Sequence, residues 1–123
     1  MDIETKIARA KTRLVLDKPF WGSLTLGLPF IEDNTIATMA TDGKNIFYNP
    51  EWSDTLTEEE LDFVRCHEAM HRVLRHHLRI SSRDKELWNI ATDYAINSIL
   101  KKSGMTMPKD GLYDVQYNNK SAE

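Results

Sequence analysis

The pentad His67-Glu68-Ala69-Met70-His71 constrains this chain more than any other stretch. On a helix, residues four apart lie one turn apart on the same face, so both imidazoles can reach one ion. Two His nitrogens suit Zn²⁺ at roughly 2.0–2.1 Å. A glutamate directly after the first His then stands beside the ion's open position, where it can act as general base on water. Five residues carry this meaning only where a helix presents them inward and a third ligand lies nearby.

The flanking residues supply the helix. Thr57 before Glu58-Glu59-Glu60 makes a capping box, and the three glutamates suit the positive end of the helix dipole. From there the spacing predicts a helix to about Ile80. Phe63, Val64, His67, Met70, His71, Val73, Leu74, His77 and Leu78 fall on one broad arc, with Arg65, Arg72, His76 and Arg79 on the other side. His67 and His71 therefore point into the protein, where neighbouring side chains fix ligand rings and limit water.

A catalytic zinc site takes three protein ligands and keeps a fourth position open. The break at Ser81-Ser82-Arg83 caps a second helix, expected from about Asp84 to Lys102 with Gly104 as its stop. Its inward face carries Ile90, Asp93, Ile96, Asn97 and Leu100. If the helices fold back on each other, His71 and Asp93, symmetric about Ser82, face one another. A carboxylate on an apolar face is costly without a partner, so Asp93 is the expected third ligand. Asn97, one turn further on, is placed opposite His67 as a hydrogen-bond partner. His77 lies too far along the axis to share the ion of His71, and His76 falls on the solvent arc.

The remaining chemistry-bearing residues have plainer readings. Cys66 is the one cysteine, so an internal disulfide and a Cys-rich zinc site are excluded; it reads as a buried structural thiol. Asp62, Asp84 and Glu86 read as helix-start charges, the Arg65/Arg72/Arg79 row as a solvated face, and Trp21, Trp52 and Trp88 as core. Tyr48, Tyr94 and Tyr113 are equal candidates to donate a hydrogen bond to a developing oxyanion.

Elsewhere, residues 2–16 read as an opening helix ended by Lys18-Pro19. The apolar stretch 20–30 fits a short helix and an irregular packed segment equally. Residues 35–48 suggest a hairpin turning at Asp42-Gly43, whose edge is a candidate for pairing with an extended peptide. Residues 118–123 are expected to fray. The 123 residues suit one domain, with 41% hydrophobic and 28% charged residues, as in soluble globular proteins. A net charge of −3 gives no general pull towards nucleic acid or anionic membranes. No apolar run approaches a membrane span, and the first residues lack a signal peptide's apolar segment, so the expected location is cytoplasmic.

The helix through His67-Glu68-Ala69-Met70-His71 makes the chain similar to the zincin metallopeptidases. Ala40-Thr41-Asp42-Gly43, Tyr48-Asn49-Pro50 and the run from Leu87 through Asp93 to Asn97 extend the match. Together they resemble the predicted metal-dependent peptidases whose longer members carry a C-terminal von Willebrand factor A-like domain. The resemblance covers roughly residues 20–123, although nothing like the A-like domain is present. It implies His67, His71 and Asp93 as metal ligands and Glu68 as base.

The expectation is thus an α+β, zincin-like domain over residues 1–123: a small sheet or hairpin packed on a helix pair that holds Zn²⁺. The expected activity is hydrolysis of a protein or peptide substrate, with a regulatory protein partner or self-association left open. Two other readings stand beside it. One is a non-catalytic, zinc-stabilised protein-binding module; the other is a nucleic-acid-associated metalloprotease, which the acidic charge disfavours.

Overall fold

Asp2 starts the first helix, its carboxylate accepting the Thr5 N–H at 2.8 Å. The computed structural model describes residues 2–42, 44–74, 79 and 81–108. Helix α1 (Ile3–Asp17) buries Ile7, Ala10 and Leu14, three positions at helical spacing. Lys18 closes it, and Pro19, whose missing N–H is harmless at a first helical position, opens α2 (Pro19–Leu26). The stretch 20–30 is therefore mostly helix. α1 and α2 meet so closely at Gly22 that a Cβ there would stand 2.6 Å from Val15 Cα.

Three short strands follow: β1 (Phe30–Glu32), β2 (Met39–Thr41) and β3 (Ile46–Tyr48), in the order β1-β3-β2. β1 runs parallel to β3 with Phe30 opposite Ile46, and β2 runs antiparallel with Thr41 opposite Ile46. The hairpin is shorter than the alternation over residues 35–48 suggests. Asp33 accepts both the N–H and the hydroxyl of Thr35, at 2.9 and 2.5 Å, folding that segment into a turn before β2 begins. A four-residue connection, 42–45, also replaces the expected two-residue turn. Asp42 accepts the N–H groups of Lys44 and Asn45, both at 2.8 Å, which holds its carboxyl below the usual range. Gly43 itself lies outside the described residues.

Asn49 caps the short α3 (Pro50–Asp54) by accepting the Trp52 N–H at 3.0 Å, and its Nδ2 donates to the Ile36 carbonyl at 2.9 Å. The capping box is formed: Glu60 N–H to Thr57 Oγ1 at 3.1 Å, and Thr57 N–H to Glu60 Oε1 at 2.9 Å. It opens α4 (Glu58–Val73), which ends earlier than the periodicity implied, with Leu74 as C-cap. Residues 75–78 and 80, including His76 and His77, lie outside the described residues, as does Tyr113. Helix α5 (Lys85–Lys102) is capped by Asp84 rather than by 81–83, through the Leu87 N–H at 2.8 Å. Gly104, at φ 85°, ends it in the left-handed conformation that glycine adopts without penalty.

The described residues thus form an α+β arrangement in which α4 is covered by α1, α2, α5 and the strands β2 and β3. One core cluster joins Leu14, Trp21, Phe63, Cys66, Met70, Ile96, Leu100 and Met105, and a second joins Leu28, Ile46 and Ala69. Fully burying such a large apolar side chain stabilises by about 1.5–3 kcal/mol. Trp21 and Trp88 are interior, while Trp52 is half-buried. Among the described residues, no helix is long and apolar enough to cross a membrane.

Because α4 is enclosed on more than one side, its expected solvent arc fails at the centre. Arg65 is 2% exposed, so no Arg65/Arg72/Arg79 surface row exists. Its Nη2 donates to Thr25 Oγ1 at 3.4 Å, its guanidinium lies over the Phe30 ring, and its Nη1 stands 3.6 Å from Asp62 Oδ1. Asp62 is likewise no helix-start charge but an interior one, bound by Arg13 Nη2 at 2.5 Å. Burial pushes the Asp62 carboxyl up and the Arg65 guanidinium down, with the opposite charges resisting both shifts. Two further positions read as inward, Val73 at the end of α4 and Ile90 on α5, are exposed.

Candidate metal centre

The geometry of α4 and α5 decides what the two helices can hold. His67 and His71 sit one turn apart on α4, and Asp93 and Asn97 sit one turn apart on α5. Packing of Met70 and Cys66 of α4 with Ile96 and Leu100 of α5 sets these two pairs face to face.

Three ligand atoms converge. His67 Nε2 lies 2.9 Å from Asp93 Oδ1, His71 Nε2 lies 3.3 Å from the same oxygen, and the two Nε2 atoms are 3.1 Å apart. A tetrahedral ion held at about 2.0–2.1 Å needs ligand atoms about 3.3–3.4 Å apart, so the triangle fits with a few tenths of an ångström of expansion. Two imidazoles and one carboxylate also have the donor chemistry of catalytic zinc sites. Side-chain exposure rises from His67 at 14% through His71 at 21% to Asp93 at 35%, so the triangle opens to solvent on the Asp93 side. Among the described residues this is the one cluster of three such groups with metal-ligand spacing.

Asn97 completes the support. It is buried, and its Oδ1 lies 2.7 Å from His67 Nδ1. An amide oxygen only accepts, so this contact favours a proton on His67 Nδ1, while Nε2 is the atom turned to His71 and Asp93.

Glu68 is buried next to this group. Burial pushes its carboxyl up, and the neighbouring His67 and His71 resist that shift while Asp93 adds to it. Burial would lower His67, but its hydrogen bond to Asp93 and the nearby Glu68 charge outweigh this and raise it. Asp93 goes the other way: hydrogen bonds from both imidazoles hold its carboxyl far below the usual range despite burial. Their surroundings thus drive the Glu68 and Asp93 carboxyls in opposite directions.

The other sequence candidates stand apart. Cys66 is fully buried, with its thiol pushed up to about 12 by burial, and is chemically silent there. Tyr48 is buried in β3 against Phe30, and the charges that act on it are those of Glu32 and Glu4, none from the His/His/Asp group. Tyr94 is half-buried on α5, next in sequence to Asp93. The feature missed from the sequence is the Arg13–Asp62–Arg65 network that fixes α4 from its opposite side. The Asp62/Arg65 spacing on one helix face was its only signal.

A Thermotoga maritima protein described only as uncharacterized is 28% identical over 131 residues, covering 89% of this chain and 33% of its own length. The chain thus spans about a third of the length of that relative. No solved structure matches the chain. Over residues 2–121 it matches the family described as "Putative metallopeptidase domain", and the chain belongs to that family.

Proposed function

We propose that this chain is a zinc-dependent peptidase of zincin-like build, with His67, His71 and Asp93 as ligands and Glu68 as general base. The observation that carries this reading is the 2.9, 3.1 and 3.3 Å triangle of ligand atoms with Glu68 buried beside it. Family membership supports a metal-dependent peptidase in general. When bound, the ion supplies a Lewis acid that polarises the scissile carbonyl and acidifies water. Glu68 takes the proton released by the attacking water and delivers it to the leaving amine. Asn97 and Asp93 keep the His67 ring fixed while this happens. The substrate is a protein or peptide, and β2, an outer strand of the sheet among the described residues and packed beside α4, is placed to border an extended backbone.

Two imidazoles and one carboxylate also make the triad of non-haem iron enzymes. Glu68 beside the triad favours hydrolysis, because a general base is what metal-assisted amide cleavage adds to the ligand set.

Elemental analysis and casein cleavage, run on wild type beside Glu68→Gln, test the reading. One zinc per chain in both proteins, with cleavage by wild type alone, is the expected result. Zinc without cleavage by either protein would favour a zinc-stabilised binding module. Iron in place of zinc, or no metal after supplementation, would overturn the assignment.

A further inference from the structure

We propose that Asn97 is a positioning residue for the metal centre, one that presets His67 for ligation before an ion arrives. The inference rests on the metal reading above and goes beyond it by giving one interior amide a defined task.

Asn97 is 3% exposed and sits in the second half of α5, where an asparagine is a poor choice on local grounds. A buried amide is costly unless bonded. Its Oδ1 meets His67 Nδ1 at 2.7 Å, at the short end of such contacts. Each His67 nitrogen therefore has its own partner from α5: Nδ1 faces Asn97, and Nε2 faces Asp93 at 2.9 Å. Asp93 and Asn97 lie one turn apart, so a single helix face fixes both the rotation of the ring and the place of its proton.

The identity of the residue matters as much as its place. An acceptor is required, because the proton must stay on Nδ1 for the Nε2 lone pair to face the ion. Asparagine supplies that acceptor without a charge. An aspartate would supply it too, but would add a further negative charge beside Asp93 and the buried Glu68. Leucine, of similar size, would supply none.

These differences define the test. Zinc affinity is measured by competition with a chromophoric chelator for wild type, Asn97→Asp and Asn97→Leu, with circular dichroism and thermal melting of the metal-free proteins as the folding control. Removing such an outer partner typically lowers metal affinity by roughly 10–100-fold, and that is the loss expected for Asn97→Leu. Asn97→Asp, which keeps the acceptor, is expected to bind zinc at least as tightly as wild type to within a few-fold. Nitrogen-15 NMR of the zinc-loaded wild type should show His67 ligated through Nε2 with a slowly exchanging Nδ1–H. Wild-type affinity in a folded Asn97→Leu would overturn the proposal, as would an Asn97→Asp loss as large as that of leucine. His67 ligated through Nδ1 in the loaded wild type would also overturn it. Should Asn97→Leu not fold, the aspartate and NMR arms decide alone. Absence of zinc from wild type would instead sink the metal reading on which the inference stands.

Discussion

Asp93 Oδ1 stands 2.9 Å from His67 Nε2, although the two residues belong to different helices and are separated by the turn at 81–84. One carboxylate oxygen thereby joins α5 to α4, and it does the same for His71 at 3.3 Å. Asp93→Ala is expected to lower zinc affinity by more than about 100-fold, since loss of an outer partner alone costs roughly 10–100-fold. Chelator competition measures it, and affinity within tenfold of wild type would argue against ligation. For wild type, free zinc at 100 times its dissociation constant should add about 2.7 kcal/mol of stability, and a chelator should remove it. A melting curve indifferent to zinc and chelator would count against a folded-state site.

The Arg65–Asp62 pair lies in the interior, with side chains 2% and 11% exposed. Removing one partner of a buried pair leaves an uncompensated charge and costs about 3–5 kcal/mol. Asp62→Ala is therefore expected to destabilise by about that amount, in denaturant unfolding at neutral pH. The double replacement Asp62→Leu with Arg65→Met should recover a large part of the loss, because well-packed apolar groups can replace buried ions. Equal stability of Asp62→Ala and wild type would show that the pair is solvated.

Gly22 stands where α1 and α2 touch, with Val15 Cα 2.6 Å and Val15 N 2.9 Å from the site of a Cβ. The obstructing atoms are backbone, which cannot rotate away. Gly22→Ala should cost about 1–3 kcal/mol through forced displacement of the helices. An alanine variant as stable as wild type would mean that the helices separate freely.

Cys66 is buried with its thiol pushed up to about 12, against a reference of 9.0. The folded protein thus holds this proton more tightly than the unfolded chain does. Its effect on stability is flat below the reference value and turns unfavourable as pH rises through the interval from 9.0 to about 12. In the native state, disulfide-forming reagents should modify Cys66 only at the rate of unfolding. Fast labelling under native conditions would place the thiol at the surface.

The residues that the structure gathers in the candidate centre were legible because their information is local. His67, Glu68 and His71 needed only helical spacing, and Asp93 and Asn97 needed only the symmetry of two helices placed about the break at 81–83. Thr57 with Glu60, and Gly104, announce helix ends by short-range hydrogen bonding and backbone freedom, whereas the cap of α5, expected at 81–83, is Asp84. Arg65 and Asp62 were misread for the opposite reason. A helical projection shows which residues share a face, not how many faces are covered, and α4 is covered on more than one side. β1 escaped for a similar reason: its pairing with β3 joins residues far apart in sequence, and Phe30–Glu32 carries no turn of its own to declare it.

The sequence by itself determined the candidate ligand residues, the helix that presents them and the donor chemistry they offer, because donor type and 3.6-residue periodicity are properties of a short stretch. Only the tertiary structure decided that His67 Nε2, His71 Nε2 and Asp93 Oδ1 meet within 3.3 Å, that Asn97 Oδ1 meets His67 Nδ1, and that a guanidinium belongs in the core. Those outcomes depend on how α1, α2, α5 and the sheet pack around α4, and packing is decided by the whole chain at once.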